Sequence, residues 1–146
     1  MGRTGTDPEL KLRRLLWRAG LRGYRLNIAT LPGKPDIVYT RSLVAVFVDG
    51  AFWHGHPSKF LEAKMSVYWQ TKIRRNRARD ARNSKELRSL GFQVLRVWDF
   101  DIGQRGGVVV ERIKRAVRRQ KAETGGRAVQ RRQASLGASA QSHRSR

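Results

Sequence analysis

The stretch Val46-Phe47-Val48-Asp49-Gly50-Ala51-Phe52-Trp53-His54-Gly55-His56 is an apolar run that ends in an acid, two glycines, two aromatics and two of the chain's three histidines. A strand that empties into a site has this make-up. Upstream, the turn Leu31-Pro32-Gly33-Lys34-Pro35 delivers Asp36 into a second apolar run, Ile37-Val38-Tyr39. Asp36 and Asp49 therefore fall near the ends of what should be adjacent strands. One or two carboxylates can hold a magnesium ion that keeps several of its waters, and histidine takes a proton near neutral pH. Two acids and a histidine converging in a very basic chain suit metal-dependent hydrolysis of a phosphodiester.

The charge balance points the same way. With 32 Lys+Arg against 11 Asp+Glu and a net charge of +21, a polyanionic partner is expected, because each cation that neutralises a phosphate releases condensed counterions. A membrane surface is the rival polyanion, but no segment has the apolar length to span a bilayer and no signal-peptide pattern opens the chain. We expect no membrane partner and a cytoplasmic, nucleoid-associated protein. The absence of cysteine excludes disulfides and thiolate metal sites.

These residues need a scaffold. Asp7-Pro8-Glu9 reads as an N-cap, a proline at the first helical position and an acid at the positive helix end. Leu12, Leu15, Leu16 and Ala19 continue with helical spacing until Gly20. Strands are expected over Arg22 to Ile28, Ile37 to Tyr39 and Leu43 to Val48, the last two joined as a hairpin through Thr40-Arg41-Ser42. A long helix follows from about Ser66 to Leu90, closed by Gly91, then a buried strand from Phe92 to Trp98, then an amphipathic helix carrying Val110, Ile113 and Val117. The order α-β-β-β-α-β-α suits an α/β fold, a mixed four-stranded sheet flanked by helices, its fourth strand reached by a helical crossover. Trp17 and Trp98 are expected in the core. The expected division is one domain over residues 1–119 and a basic, disordered tail over 120–146, because Lys121 to Arg146 has no aromatic residue and too little apolar surface to fold.

This order resembles the restriction-endonuclease-like core, the PD-(D/E)XK fold, with Pro35-Asp36 as its first signature pair. The resemblance narrows further. Leu31-Pro32-Gly33-x-Pro35-Asp36, Val46-Phe47-Val48-Asp49-Gly50-x-Phe52-Trp53-His54-Gly55, Tyr68-Trp69-x-x-Lys72-Ile73-x-x-Asn76-x-x-Arg79-Asp80 and Gly91-Phe92-x-Val94-Leu95-x-Val97-Trp98 follow one another as in the very short patch repair (Vsr) endonucleases. That family nicks double-stranded DNA beside a thymine mispaired with guanine, the lesion left when 5-methylcytosine deaminates.

The resemblance implies a magnesium ion on Asp36, water activation by His54, and Glu9 completing the site from the first helix. It also implies a main-chain carbonyl ligand, which falls on Val48. Asp49 is then either a direct or water-mediated ligand, as in the generic fold, or the acid of an Asp-Gly turn. Phe52, Trp53 and Trp69 match aromatics that wedge into the base stack, and Lys72 and Asn76 match residues near the mismatch. Trp69, Ile73, Asn76 and Asp80 share one helix face. Asp80 can instead pair with Arg79 or a neighbouring arginine on a solvated face, while Arg74, Arg75, Arg77, Arg79 and Arg82 form a phosphate-facing patch.

Two departures from the family stand out. Its members carry a structural zinc held mainly by cysteines, but Ala51, Ser58 and Phe100 occupy the apparent cysteine positions and only His56 remains. One histidine does not hold structural zinc, so none is expected, with packing by Phe100 and Phe60 taking over. The family's basic N-terminal arm is expected to be short here, reduced to Met1 to Thr6. The expectation is a magnesium-dependent nicking endonuclease for T:G mismatches, acting as a monomer on double-stranded DNA alongside other mismatch-repair proteins. The alternatives are a related nuclease for another DNA structure or modified site, and an inactive DNA-binding module.

Overall fold

The computed structural model describes residues 7–51 and 66–120. Helix α1, Asp7–Arg18, has acids in its first turn and Arg18 in its last, as the helix dipole favours. Glu9, Leu12 and Leu16, at spacings of three and four, are its buried residues. Trp17 is one helical step away from Leu16 and is 53% exposed, which corrects its assignment to the core. The Arg22 guanidinium covers its ring at 4.2 Å instead.

Four strands form one sheet in the order β1-β2-β3-β4. Strand β1 is only Arg25–Leu26, both exposed, where a strand from Arg22 to Ile28 was expected. Left-handed backbone at Gly23 (φ 84) and Asn27 (φ 48) breaks the extended conformation on both sides. Strands β2, Ile37–Tyr39, and β3, Val44–Asp49, pair antiparallel with Ile37 opposite Val46. Leu43 (φ 55) turns the chain between them, so β3 starts one residue later than its apolar run suggests. Helix α2, Val67–Ser89, is capped by Ser66 and crosses over to β4, Gln93–Trp98, which pairs parallel with β3. A parallel neighbour requires such a crossover.

After β4 the chain makes two helices where one was expected. Helix α3 is Asp99–Gln104, and after a break at Arg105 (φ −135) residues 106–120 form α4. The larger core lies between one sheet face and α1, α3 and α4, and includes Leu12, Leu16, Tyr39, Val46, Val97 and Ile113. On the other face α2 closes a smaller core around Ala45, Phe47 and Leu87. Strand β3 is buried on both faces, which is why its sequence reads as a continuous apolar run. Trp98 is partly buried. Gln120 is still helical, and the tail expected beyond it, residues 121–146, lies outside the described residues. Among the described residues no helix is long and apolar enough to cross a membrane.

Candidate active site

Asp36 is held from three directions. Its main-chain N–H donates to the Val46 carbonyl at 3.0 Å, and its carbonyl accepts from Asn27 N–H at 3.2 Å. Its Oδ2 accepts the Val48 N–H at 2.7 Å. The turn that delivers it is pressed onto α2: a Cβ on Gly33 would stand 2.9 Å from Asn83 Nδ2, and Gly33 has φ 74, so glycine is required twice over. Pro35 is fully buried behind the acid.

Glu9 reaches the same place from α1 and is 5% exposed. The two carboxyl groups lie within hydrogen-bonding range of each other, and the Asp36 carboxyl is pushed up to about 7. Burial is the main cause, with the Glu9 charge, the shared hydrogen bond and the Asp49 charge adding to it, while the Val48 N–H opposes it. Two buried carboxyl groups side by side offer several oxygen atoms to one point. Oxygen ligands of this kind fit a hard divalent ion. Arg13 supplies some compensation, its Nη2 3.8 Å from Glu9 Oε2, and its Nε is enclosed without a hydrogen-bond partner among the described residues.

Among the described residues no group of three or more His, Cys, Asp or Glu side chains could hold a metal by itself. Phe52, Trp53 and His54, with His56, Ser58 and Phe60, lie outside the described residues.

Asp49, buried at 5%, sits one residue beyond Val48 and so on the opposite, α2 side of the sheet. Both its carboxylate oxygens accept from Arg96 Nη1, at 3.0 and 3.2 Å. The ion pair with Arg96 is a structural partnership of Asp49 beside the two roles expected of it. Arg96 also meets Asp80: Nη2 donates to its carbonyl at 3.2 Å and Nη1 lies 3.9 Å from its Oδ1. Of the readings open for Asp80, the structure shows an inward contact across to Arg96 of β4.

Helix α2 divides cleanly. Ile73, Ser84 and Leu87 are buried and Asn76 and Asp80 half-buried on one line, while Arg74, Arg75, Arg77, Arg79 and Arg82 are exposed. Trp69 is 37% exposed, in edge contact with Tyr68 at 5.2 Å, and Lys72 Nζ stands 5.5 Å from its ring. An exposed aromatic beside cations is a surface that suits nucleic acid.

Ala51 and Phe100, two of the positions where the family's cysteines would fall, are neighbours here through Asp99. Its Oδ1 accepts N–H groups from Ala51 at 3.4 Å and Phe100 at 2.8 Å. A carboxylate thereby ties the end of β3 to the start of α3.

The chain is similar to several known nucleases. The family described as DNA mismatch endonuclease Vsr matches residues 1–60. The type II nicking enzyme V.NmeDIP of Neisseria meningitidis serogroup C is 40% identical over 117 residues, covering 78% of each chain. The type II nicking enzyme V.NmeAIP from serogroup A of the same species is 36% identical, over 77% of this chain and 81% of its own. The DNA mismatch endonuclease Vsr of Escherichia coli K12 is 38% identical over 96 residues, 64% of this chain and 61% of its own.

Proposed function

The chain belongs to the Vsr family of DNA mismatch endonucleases, and from that premise we propose that it is a magnesium-dependent endonuclease that nicks duplex DNA at T:G mismatches. The observation that carries the chemical part is the buried Glu9–Asp36 pair, whose mutual repulsion a divalent cation would relieve. The Asp36 carboxylate and the Val48 main-chain carbonyl would hold the ion, with Glu9 completing the site. A magnesium ion bound there would supply positive charge to the scissile phosphate. His54 takes a proton from the attacking water as its oxygen bonds to phosphorus, and the bond from phosphorus to the leaving sugar oxygen breaks, that oxygen taking a proton from solvent. Asp49 acts through Arg96 and is not a ligand in this reading.

DNA is held mainly by charge. The exposed arginines of α2, Arg75 and Arg79 among them, contact phosphates, and Lys72 and Asn76 meet the duplex near the mismatch. Phe52 and Trp53, helped by Trp69, wedge into the stack. Each base–aromatic contact contributes about 1–3 kcal/mol, enough to offset part of the unstacking cost at an already weakened pair. A single acid site acting on one strand suits a monomer that nicks. The protein would work beside other mismatch-repair proteins in the cytoplasm.

The relatives' names divide between nicking enzyme and mismatch endonuclease, so the test must vary the substrate. Labelled duplexes carrying T:G, other mismatches, 5-methylcytosine or fully matched sequence are incubated with and without magnesium. One-strand cleavage of the T:G duplex, only with magnesium, is expected. Equal cleavage of matched and mismatched DNA would contradict the mismatch reading, and cleavage unaffected by chelation would contradict the metal.

A further inference from the structure

Arg96 spends its whole guanidinium on contacts between three elements. From β4 it lies with its Cζ 4.1 Å over the Phe47 ring of β3. Its Nη1 meets both oxygens of Asp49 at the end of β3, its Nε donates to Ser84 Oγ of α2 at 3.0 Å, and its Nη2 donates to the Asp80 carbonyl, also of α2, at 3.2 Å. Asp49 and Ser84 are each 5% exposed. Burying charges has a desolvation cost that an apolar replacement of similar volume would avoid, so stability alone is a weak reason for this network. What a planar fork does well is fix geometry, because its donors point in set directions.

The two parts it joins are the ones the proposed reaction must align. At one end, Asp49 follows Val48, whose N–H is bonded to Asp36. At the other, α2 presents Trp69, Lys72 and the exposed arginines to solvent. We infer that Arg96 and Asp49 are a positioning pair that sets the DNA-facing helix against the end of the catalytic strand, so that a duplex held by α2 presents its phosphate to the Glu9–Asp36 site. Neither residue touches the reacting atoms. The inference rests on the reading that Asp36 holds the ion and α2 meets DNA.

The test compares the wild type with Arg96→Lys, Asp49→Asn and the double variant. Lysine keeps the charge but loses the fork, and asparagine keeps the shape but loses the charge. The melting temperature is measured first, and then three quantities well below it: duplex affinity, single-turnover nicking rate at saturating protein, and the magnesium concentration giving half that rate. Misplaced groups lose rate steeply, so each single variant should bind duplex within a few-fold of wild type yet nick about tenfold or more slowly. Each should also need more magnesium, and the double variant should be no worse than the weaker single one. If the folded variants nick at the wild-type rate with the wild-type magnesium requirement, the pair is only a brace and the inference is overturned, however far their melting temperatures fall. Should Arg96→Lys fail to fold, the near-isosteric Asp49→Asn decides on the same readouts. A wild type that nicks no duplex at all overturns the underlying reading and this inference with it, whereas an active wild type with unimpaired variants overturns this inference alone.

Discussion

The Val48 N–H donates to Asp36 Oδ2 at 2.7 Å. The acid expected to hold the ion is therefore oriented by the same residue whose carbonyl is the proposed second ligand, and any movement of the β3 end moves both donors together. The same hydrogen bond opposes, without cancelling, the upward push that burial and Glu9 exert on the Asp36 carboxyl.

Stability of the metal-free protein should fall as pH rises through the range that separates the two states of Asp36. Its ordinary value is 3.8 and its folded value about 7, so between them the folded chain keeps a proton that the unfolded chain has released. This contribution is fully present below pH 4 and is lost by the time the pH passes 7. Thermal melts in chelator should show the decline, magnesium should restore stability most above pH 7, and Asp36→Asn should flatten both effects. A metal-free melting temperature that rises from pH 5 to pH 7.5 in wild type relative to Asp36→Asn would contradict the burial of this acid pair.

Gly33→Ala should weaken the fold by about 1–3 kcal/mol, since it forces a side chain into left-handed backbone and against Asn83. Denaturant unfolding measures it. A companion Asn83→Ala substitution should recover part of the loss by removing the clash but not the backbone strain, and full recovery would mean that the backbone carries no strain there.

Much of this architecture could be read from residue order. β3 announced itself because burial on both faces demands an unbroken apolar run, and α2 because Ser66 and Gly91 mark its ends. The Asp36–Glu9 convergence followed from a family pattern; spacing alone could not bring residues 27 positions apart into contact. The Arg96 network was not read at all. Its signal was present as a lone arginine in the run Val94-Leu95-Arg96-Val97, since a cation two residues along the same strand face from a packed valine needs a buried acid. Choosing Asp49 and Asp80 as that acid requires the parallel register that sets Phe47 beside Arg96. β1 was overdrawn and Trp17 misplaced for local reasons, two left-handed residues and one helical step.

Purified protein should contain well under stoichiometric zinc by elemental analysis, and a zinc-selective chelator should leave its melting temperature unchanged. Ala51 and Phe100 offer no ligand atoms, and Asp99 already joins their backbones. Stoichiometric zinc would overturn the reading of Ala51, Ser58 and Phe100.

Replacing Phe52 and Trp53 together by alanine should remove most discrimination between T:G and matched duplex, while salt-dependent binding to either survives through arginine–phosphate contacts. Were both core residues, stability would instead drop by about 3–5 kcal/mol per aromatic. Melting temperature and mismatch preference measured on the same variant distinguish these, and a destabilised protein that still discriminates would sink the wedge role.

The most direct measurement is single-turnover nicking of a T:G duplex in magnesium by the wild type and by Asp36→Ala, with duplex affinity measured for both. If the acid holds the ion and the arginines hold the DNA, the variant should bind within several-fold of wild type and produce no nick above background. His54→Ala should likewise lose most of its rate. Near-normal cutting by Asp36→Ala, with contaminating nuclease excluded, would contradict the assignment of the catalytic site.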